Sequence, residues 1–210
     1  MGKSSNLSTF STFSMVDGGD NKELDLIRAA VGGDSSAFGA LYDRYHAMIY
    51  RFVMIKVGRR EEAEDITHQV FLSAWQNVHT YKHKGYPFSS WLYRIARNQV
   101  IDHYRSRKGK SDVSIEKADP ELFGVETDYI GNLSAKIELE RVRSAVGRLK
   151  PDYQDVIILR FVEDMSLKES AVALGKSEGA VKLLQHRAIR ELKKALSDES
   201  SITFDIHENL

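Results

Sequence analysis

Between Gly85 and Lys108 the chain reads GYPFSSWLYRIARNQVIDHYRSRK, and only one regular structure lets that segment bury its apolar residues. Phe88, Leu92, Ile95, Ala96 and Val100 recur at steps of three and four, which puts them on one stripe of an α-helix. Pro87 suits the opening of that helix, because its φ is already fixed and its missing N–H is not needed there. Ser89 and Ser90 offer capping hydroxyls beside it. Another face carries Arg94, Arg97, Asn98, Asp102 and Arg105. From Tyr81 to Lys110 eight Lys or Arg stand against a single acid, Asp102, so the segment is strongly positive. Aromatic residues are interleaved with the charge: Tyr81, Tyr86, Phe88, Trp91, Tyr93 and Tyr104. Cations attract phosphates without regard to base sequence, and aromatic faces stack on unpaired bases. A solvated basic helix has the same charge pattern, so the remainder of the chain has to decide between the two readings.

That remainder removes several classes of function. The 210 residues suffice for one or two domains, and formal net charge is zero, so the basic segment is balanced elsewhere. With no cysteine, disulfides, thiolate metal sites and cysteine nucleophiles are excluded, which fits a reducing cytoplasm. No apolar run approaches the roughly 20 residues of a membrane span. The opening MGKSSNLSTFSTFSMVDGGD lacks the apolar core of a signal peptide, and residues 1–21 read as a disordered leader. Three prolines and the lack of long alternating runs indicate an all-α chain.

Helices follow one another in order. Lys22 to Val31 forms a short one, stopped by Gly32-Gly33. Asp34 caps a longer helix from Ala37 to Val57, which Gly58 ends. The third, from Glu61 to Val78, buries Ala63, Ile66, Val70, Phe71, Ala74, Trp75 and Val78. It leaves Glu61, Glu62, Glu64, Asp65, His68 and Gln69 outside. Its early acids suit the positive end of the helix dipole. Glu64 and His68 are four apart, but two ligands on one helix do not make a metal site. A polar, acidic face of this kind suits a basic protein partner. With the central helix, residues 22–108 make a four-helix domain. Residues 109–134 then change character: from Ser111 to Glu140 eight acids meet two bases, and Pro120 and Gly124 break any period, so this is a flexible linker.

A second domain covers residues 135–196. Leu139, Val142, Val146 and Leu149 face inward on its first helix, and Pro151 opens the next. Ser166-Leu167-Lys168-Glu169 has the form of a capping box. Gly175 is placed to stop that helix with positive φ. Ser177 caps the last helix, where Val181, Leu184, Ala188 and Leu192 point inward, and Lys182, Leu183, His186, Arg187 and Arg190 point elsewhere. From Lys176 to Leu196 six bases outnumber two acids. Short helix, glycine turn, capped basic helix is the helix-turn-helix pattern, whose second helix enters the major groove. Residues 197–210 form a frayed, acidic tail.

Two segments together resemble the sigma-70 family of bacterial RNA polymerase sigma factors, in its extracytoplasmic-function (ECF) group. They are EEAEDITHQVFLSAW followed by YPFSSWLYRIARNQVIDHYR, and LKPDYQDVIILRFVEDMSLKESAVALGKSEGAVKLLQHRAIREL. The resemblance implies a transcription initiation factor that binds core RNA polymerase and directs it to promoter DNA. It implies that Glu62, Asp65, Gln69 and Trp75 dock on the clamp helices of the largest catalytic subunit, and that the second domain meets the flap. It implies contacts to the minus-ten element, and to its melting, from Tyr81, Phe88, Trp91, Arg94, Arg97, Asn98, Asp102 and Arg105. Asn98 is the expected base contact there and the arginines the phosphate contacts. The minus-thirty-five element would be read by Ser177, Lys182, Leu183, His186, Arg187 and Arg190. Leu183-Leu184-Gln185 departs from the small or basic residues frequent in the family at that place. An anti-sigma factor is a further implied partner; no cofactor, metal or catalytic residue is implied. The rival readings are a stand-alone helix-turn-helix regulator, an enzyme built on Glu64, Asp65 and His68, and a protein-interaction module. The first explains residues 166–196 but not the aromatic basic helix. The second lacks a phosphate loop and a nucleophile motif. The third leaves both basic helices incidental.

Overall fold

The computed structural model describes residues 17–83, 85–107 and 141–207, with side chains described for 21–83, 85–106 and 141–197. Every element among them is helical: α1 (Asp17–Val31), α2 (Ser35–Val57), α3 (Arg60–Asn77), a 3-10 turn (Val78–Thr80) and α4 (Phe88–Arg107). After residues 108–140 come α5 (141–147), α6 (Pro151–Ile157), a π turn (Ile158–Val162), α7 (Leu167–Leu174) and α8 (Glu178–His207). The linker expected at 109–134 and the start of the second domain at 135 lie outside the described residues, as does the leader before Asp17.

The boundaries have local chemical causes. The Asp34 carboxylate accepts from the Ser36 and Ala37 N–H groups at 2.8 and 3.1 Å, meeting donors that the first turn of α2 leaves unpaired. Gly58 ends α2 at φ 74°, a conformation that a Cβ would disfavour. Ser166 and Glu169 form the reciprocal capping box, and Gly175 closes α7 at φ 63°. Ser177 Oγ accepts from Ala180 N–H at 3.2 Å and so starts α8.

Three expectations are corrected. Helix α1 begins at Asp17, five residues inside the segment read as disordered leader. Ser89 and Ser90 are not caps: both lie within the first turn of α4, and the Ser90 side chain is fully buried. Helix α8 continues past Leu196 to His207, through what was read as a frayed tail.

In the first unit α2 packs on α1, α3 and α4, and Leu41, Ile49, Phe52, Val70, Phe88 and Leu92 fill the space between them. Each such side chain contributes about 1.5–3 kcal/mol of burial. In the second unit α6 packs along α8 and α7 folds across it, burying Val156, Ile158, Leu174 and Val181. The units also touch: α7 lies against α4. A helix boundary can be read from its own few residues, whereas this docking cannot.

Candidate nucleic-acid interface

The first face is built around an aromatic cluster. The 3-10 turn ends at Tyr81, whose ring meets Phe88 edge-on at 5.1 Å and Trp91 at 5.4 Å. Phe88 and Trp91 are 5.2 Å apart, and Tyr45 approaches Phe88 from below at 5.8 Å. Phe88 is 1% exposed, so it cannot itself meet DNA. It is the floor on which Tyr81 and Trp91, both half-buried, are held with open edges. Burial, with the Glu23 carboxylate adding to it, raises the Tyr81 phenol and keeps it neutral. Glu23 is fixed in turn by the Tyr45 hydroxyl and by Arg44 at 3.0 Å.

One turn along α4, Arg94 and Asn98 are exposed. With Ser73, Asn77, Thr80, Trp91 and Ile95 they line a hollow of about 290 Å³. It combines an aromatic wall, an amide and a guanidinium, the groups that hold an unpaired base and its phosphate. Asp102 pairs loosely with Arg105 at 3.4 Å, both exposed.

Arg97 departs from the expected phosphate role. Its Nε donates to Asp155 at 2.7 Å and its Nη2 to Asp152 at 2.7 Å, both on α6. Burial opposes its charge, but the two carboxylates outweigh burial and raise the guanidinium further.

The second face lies on α8. Val181 and Ala188 are buried, and Lys182, Leu183, His186, Arg187 and Arg190 all stand in solvent, as their spacing predicted. Leu183 is 51% exposed, so it is not packed into its own domain. Ser177 is spent on the α8 cap. It faces the first unit across a cleft of about 590 Å³, which Tyr86, Trp91, Arg94, Lys168 and Lys176 also line.

A third face belongs to α3. Asp65 and Gln69 are exposed on it. Glu62 is half-buried and paired within the unit, to Arg59 at 3.2 Å and His103 at 3.0 Å. Trp75, expected in the core, is 36% exposed and rests on Phe38 at 5.0 Å. Leu72, which the sequence reading did not single out, is 49% exposed beside it. Its signal was an apolar residue off the helical stripe. Among the described residues no group of three His, Cys, Asp or Glu could hold a metal, and no helix is long and apolar enough to cross a membrane.

A basic recognition helix in one unit and an aromatic basic face in the other define a helical DNA-binding protein of two units. Comparison with known proteins makes that class specific. Residues 41–110 match the model of sigma-70 region 2, and residues 139–192 match that of sigma-70 region 4. The chain is 36% identical over 188 residues to the ECF RNA polymerase sigma factor BldN of Streptomyces coelicolor, covering 88% of this chain and 70% of BldN. It is 31% identical over 179 residues to the ECF factor SigW of Bacillus subtilis, covering 82% and 95%. The solved structure of CnrH in complex with the cytosolic domain of CnrY superposes with a TM-score of 0.62 at 26% identity, covering 84% and 97%. The chain belongs to the sigma-70 family, in its ECF group, and is a promoter-directing transcription initiation factor. Sigma factors of this family are non-catalytic initiation factors.

Proposed function

We propose that the three faces divide the work of initiation. Asp65 and Gln69, flanked by the apolar pair Leu72 and Trp75, dock on core RNA polymerase. Tyr81, Trp91, Arg94 and Asn98 capture the minus-ten element as it opens, with an unpaired base in the hollow at Arg94 and Asn98. Lys182, Leu183, His186, Arg187 and Arg190 read the minus-thirty-five duplex, Leu183 meeting thymine methyl groups. The observation that carries this reading is the hollow between Trp91 and Asn98. A duplex-reading regulator has no use for an aromatic wall beside an amide, whereas a protein that holds a separated strand offsets part of the unpairing cost there. Phe88 supports the wall from inside.

The chemistry also favours an anti-sigma factor as a partner. CnrH, similar to this chain in fold, was solved with the cytosolic domain of CnrY. A polypeptide that covers the α3 and α4 faces would block polymerase and DNA together. Site of action follows from partner: a factor working with bacterial RNA polymerase works in the cytoplasm.

The test is reconstitution. Purified chain is mixed with bacterial core polymerase, and transcription starts are mapped on a library of promoter fragments. Specific starts that require the chain, and that fall away in Trp91→Ala and Asn98→Ala, are the expected result. Tight duplex binding without polymerase, and no directed starts with any related core enzyme, would establish the stand-alone regulator instead.

A further inference from the structure

Helix α1 sends one charged side chain toward the aromatic cluster of the first face. Glu23 is only 14% exposed, and each of its carboxylate oxygens has a partner on α2. The Tyr45 hydroxyl donates to Oε1, and Arg44 Nη2 lies 3.0 Å from Oε2. Arg44 also sits over the Tyr45 ring, 5.9 Å from its centre. Tyr45 is 6% exposed, and its ring approaches Phe88 at 5.8 Å. Phe88 in turn meets Tyr81 at 5.1 Å and Trp91 at 5.2 Å. A chain of contacts therefore runs from Glu23 through Tyr45 and Phe88 to the two half-buried rings of the face. The backbone supplies a second route, because α1 also packs against the 3-10 turn that Tyr81 follows.

We propose that Glu23 is a positioning residue for promoter opening: its carboxylate fixes the Tyr45 ring beneath Phe88 and so sets the Tyr81–Trp91 wall, which makes α1 part of the minus-ten machinery. This rests on the minus-ten reading of that wall proposed above.

Holding α1 on the bundle does not call for a carboxylate. Ile27 and Ala30, 4% and 0% exposed, already bury the apolar stripe of that helix. A largely buried carboxylate loses water, and hydrogen bonds and an opposite charge have to offset that loss. A leucine at the same place would bury apolar surface without it. What the carboxylate adds is direction. A ring held only by packing can tilt, whereas a ring bonded through its hydroxyl to a charged acceptor has its far end fixed as well. Tyr45 is held at both ends, by Phe88 at the ring and by Glu23 at the hydroxyl. Arg44 takes the second oxygen and so sets the plane of the carboxylate. Placement matters at the wall because a base stacks only on a ring that is held where the base arrives.

The test separates placement from stability. Glu23→Leu leaves the Tyr45 hydroxyl buried without its acceptor and should lower the denaturant midpoint. Adding Tyr45→Phe removes that unpaired hydroxyl, so the midpoint of E23L/Y45F should return close to the parent's. Capture of a minus-ten fork DNA by the full chain with bacterial core polymerase should not return with it. Capture should stay about tenfold weaker, the size of one charge-assisted hydrogen bond, while upstream duplex binding is unchanged. Glu23→Gln keeps an acceptor for Tyr45 and should capture the fork within about twofold of the parent. With Trp75→Phe in the background Trp91 is the only indole, and its emission should shift in E23L/Y45F but not in E23Q. Fork capture that recovers with the midpoint, equal losses on fork and upstream duplex, or an unchanged Trp91 emission would each overturn the proposal. So would normal capture by Tyr45→Phe alone, a loss of one oxygen that decides the matter even if E23L/Y45F folds poorly. Trp91→Ala is scored beside them. If it captures the fork as the parent does while E23L/Y45F still shifts the emission, the minus-ten reading fails and the positioning of the wall stands.

Discussion

The two basic stretches, α4 and residues 178–196 of α8, carry similar charge and hold it differently. On α8 the cations Lys182, Arg187 and Arg190 stand in solvent, and no Phe, Tyr or Trp occurs among residues 178–197 beside them. On α4 Arg97 is spent on two carboxylates of the other unit, while Trp91 leans on a buried aromatic floor. An open row of cations suits the uniform phosphates and base edges of a duplex. An aromatic wall with an adjoining hollow suits a strand that has left the duplex. Positive charge alone therefore says little about what a helix reads; its neighbours decide. The same contrast separates a face whose cations stand in solvent from one whose Arg97 is held by the other unit.

The sharpest way to break the comparison is at its floor. Phe88→Ala should cost the first unit about 3–5 kcal/mol, seen as a lower midpoint in denaturant unfolding. Trp91→Ala should leave that midpoint nearly unchanged while abolishing capture of fork DNA. If both substitutions acted alike, the division into floor and wall would fail.

Next in size is the other face. Arg187→Ala should weaken holoenzyme binding to the upstream duplex by about 1–3 kcal/mol if it contacts a base, and leave the downstream fork untouched. Lys182→Ala, acting on phosphate, should weaken all sequences alike and reduce the salt slope by about one. Anisotropy titrations at several salt concentrations separate the two.

A smaller effect is expected on α3. Replacing Asp65 by Asn and Gln69 by Ala should each cost about 1 kcal/mol in assembly with core polymerase, and Leu72→Ala about as much, measured by competition for labelled core. Glu62→Gln should act on stability through Arg59 and His103, not on assembly.

The smallest effect concerns pH. Burial pushes the Asp152 carboxyl up, but hydrogen bonds from Lys176 and Arg97 outweigh it and hold the carboxyl below its ordinary value of 3.8. Lys176 approaches it at 3.2 Å and Arg97 at 2.7 Å, while Lys56 is held by the adjacent Asp155. A carboxyl more acidic in the folded chain than in the unfolded one adds stability above the ordinary value, and that contribution disappears as pH falls through the lower one. The denaturant midpoint should hold from neutral pH down to about pH 4 and fall below it.

Most of the fold was legible because its signals are local. Asp34, Gly58, Ser166, Gly175 and Ser177 each act on a backbone group within three or four residues, so a linear sequence records them. The recognition face of α8 was legible for the same reason: once Val181 and Ala188 point inward, helical geometry sends Lys182, His186 and Arg187 out. Burial on the first unit was less legible. Phe88 and Trp91 lie three apart on one helix with similar apolar character, and only the approach of Tyr45 and Tyr81 puts one at the floor and leaves the other open. The burial of Trp75 and Glu62 differs from its expectation for the same reason, since a neighbour on another helix decides each.

By itself the sequence determined an all-α chain, the ends of its helices where a capping side chain or glycine marks them, two basic faces and an acidic one, because periodicity and capping act over single turns. Tertiary structure alone decided which of those charges are free. Arg51, Lys56 and Arg97 are ordinary surface cations in the linear record, and Asp152, Asp155 and Glu163 ordinary acids 55 to 112 residues away. Only the docking of α6, and of Glu163 just after the π turn, against α2 and α4 brings each pair within 3 Å, where loss of water and a fixed partner turn unremarkable charges into contacts between the two units.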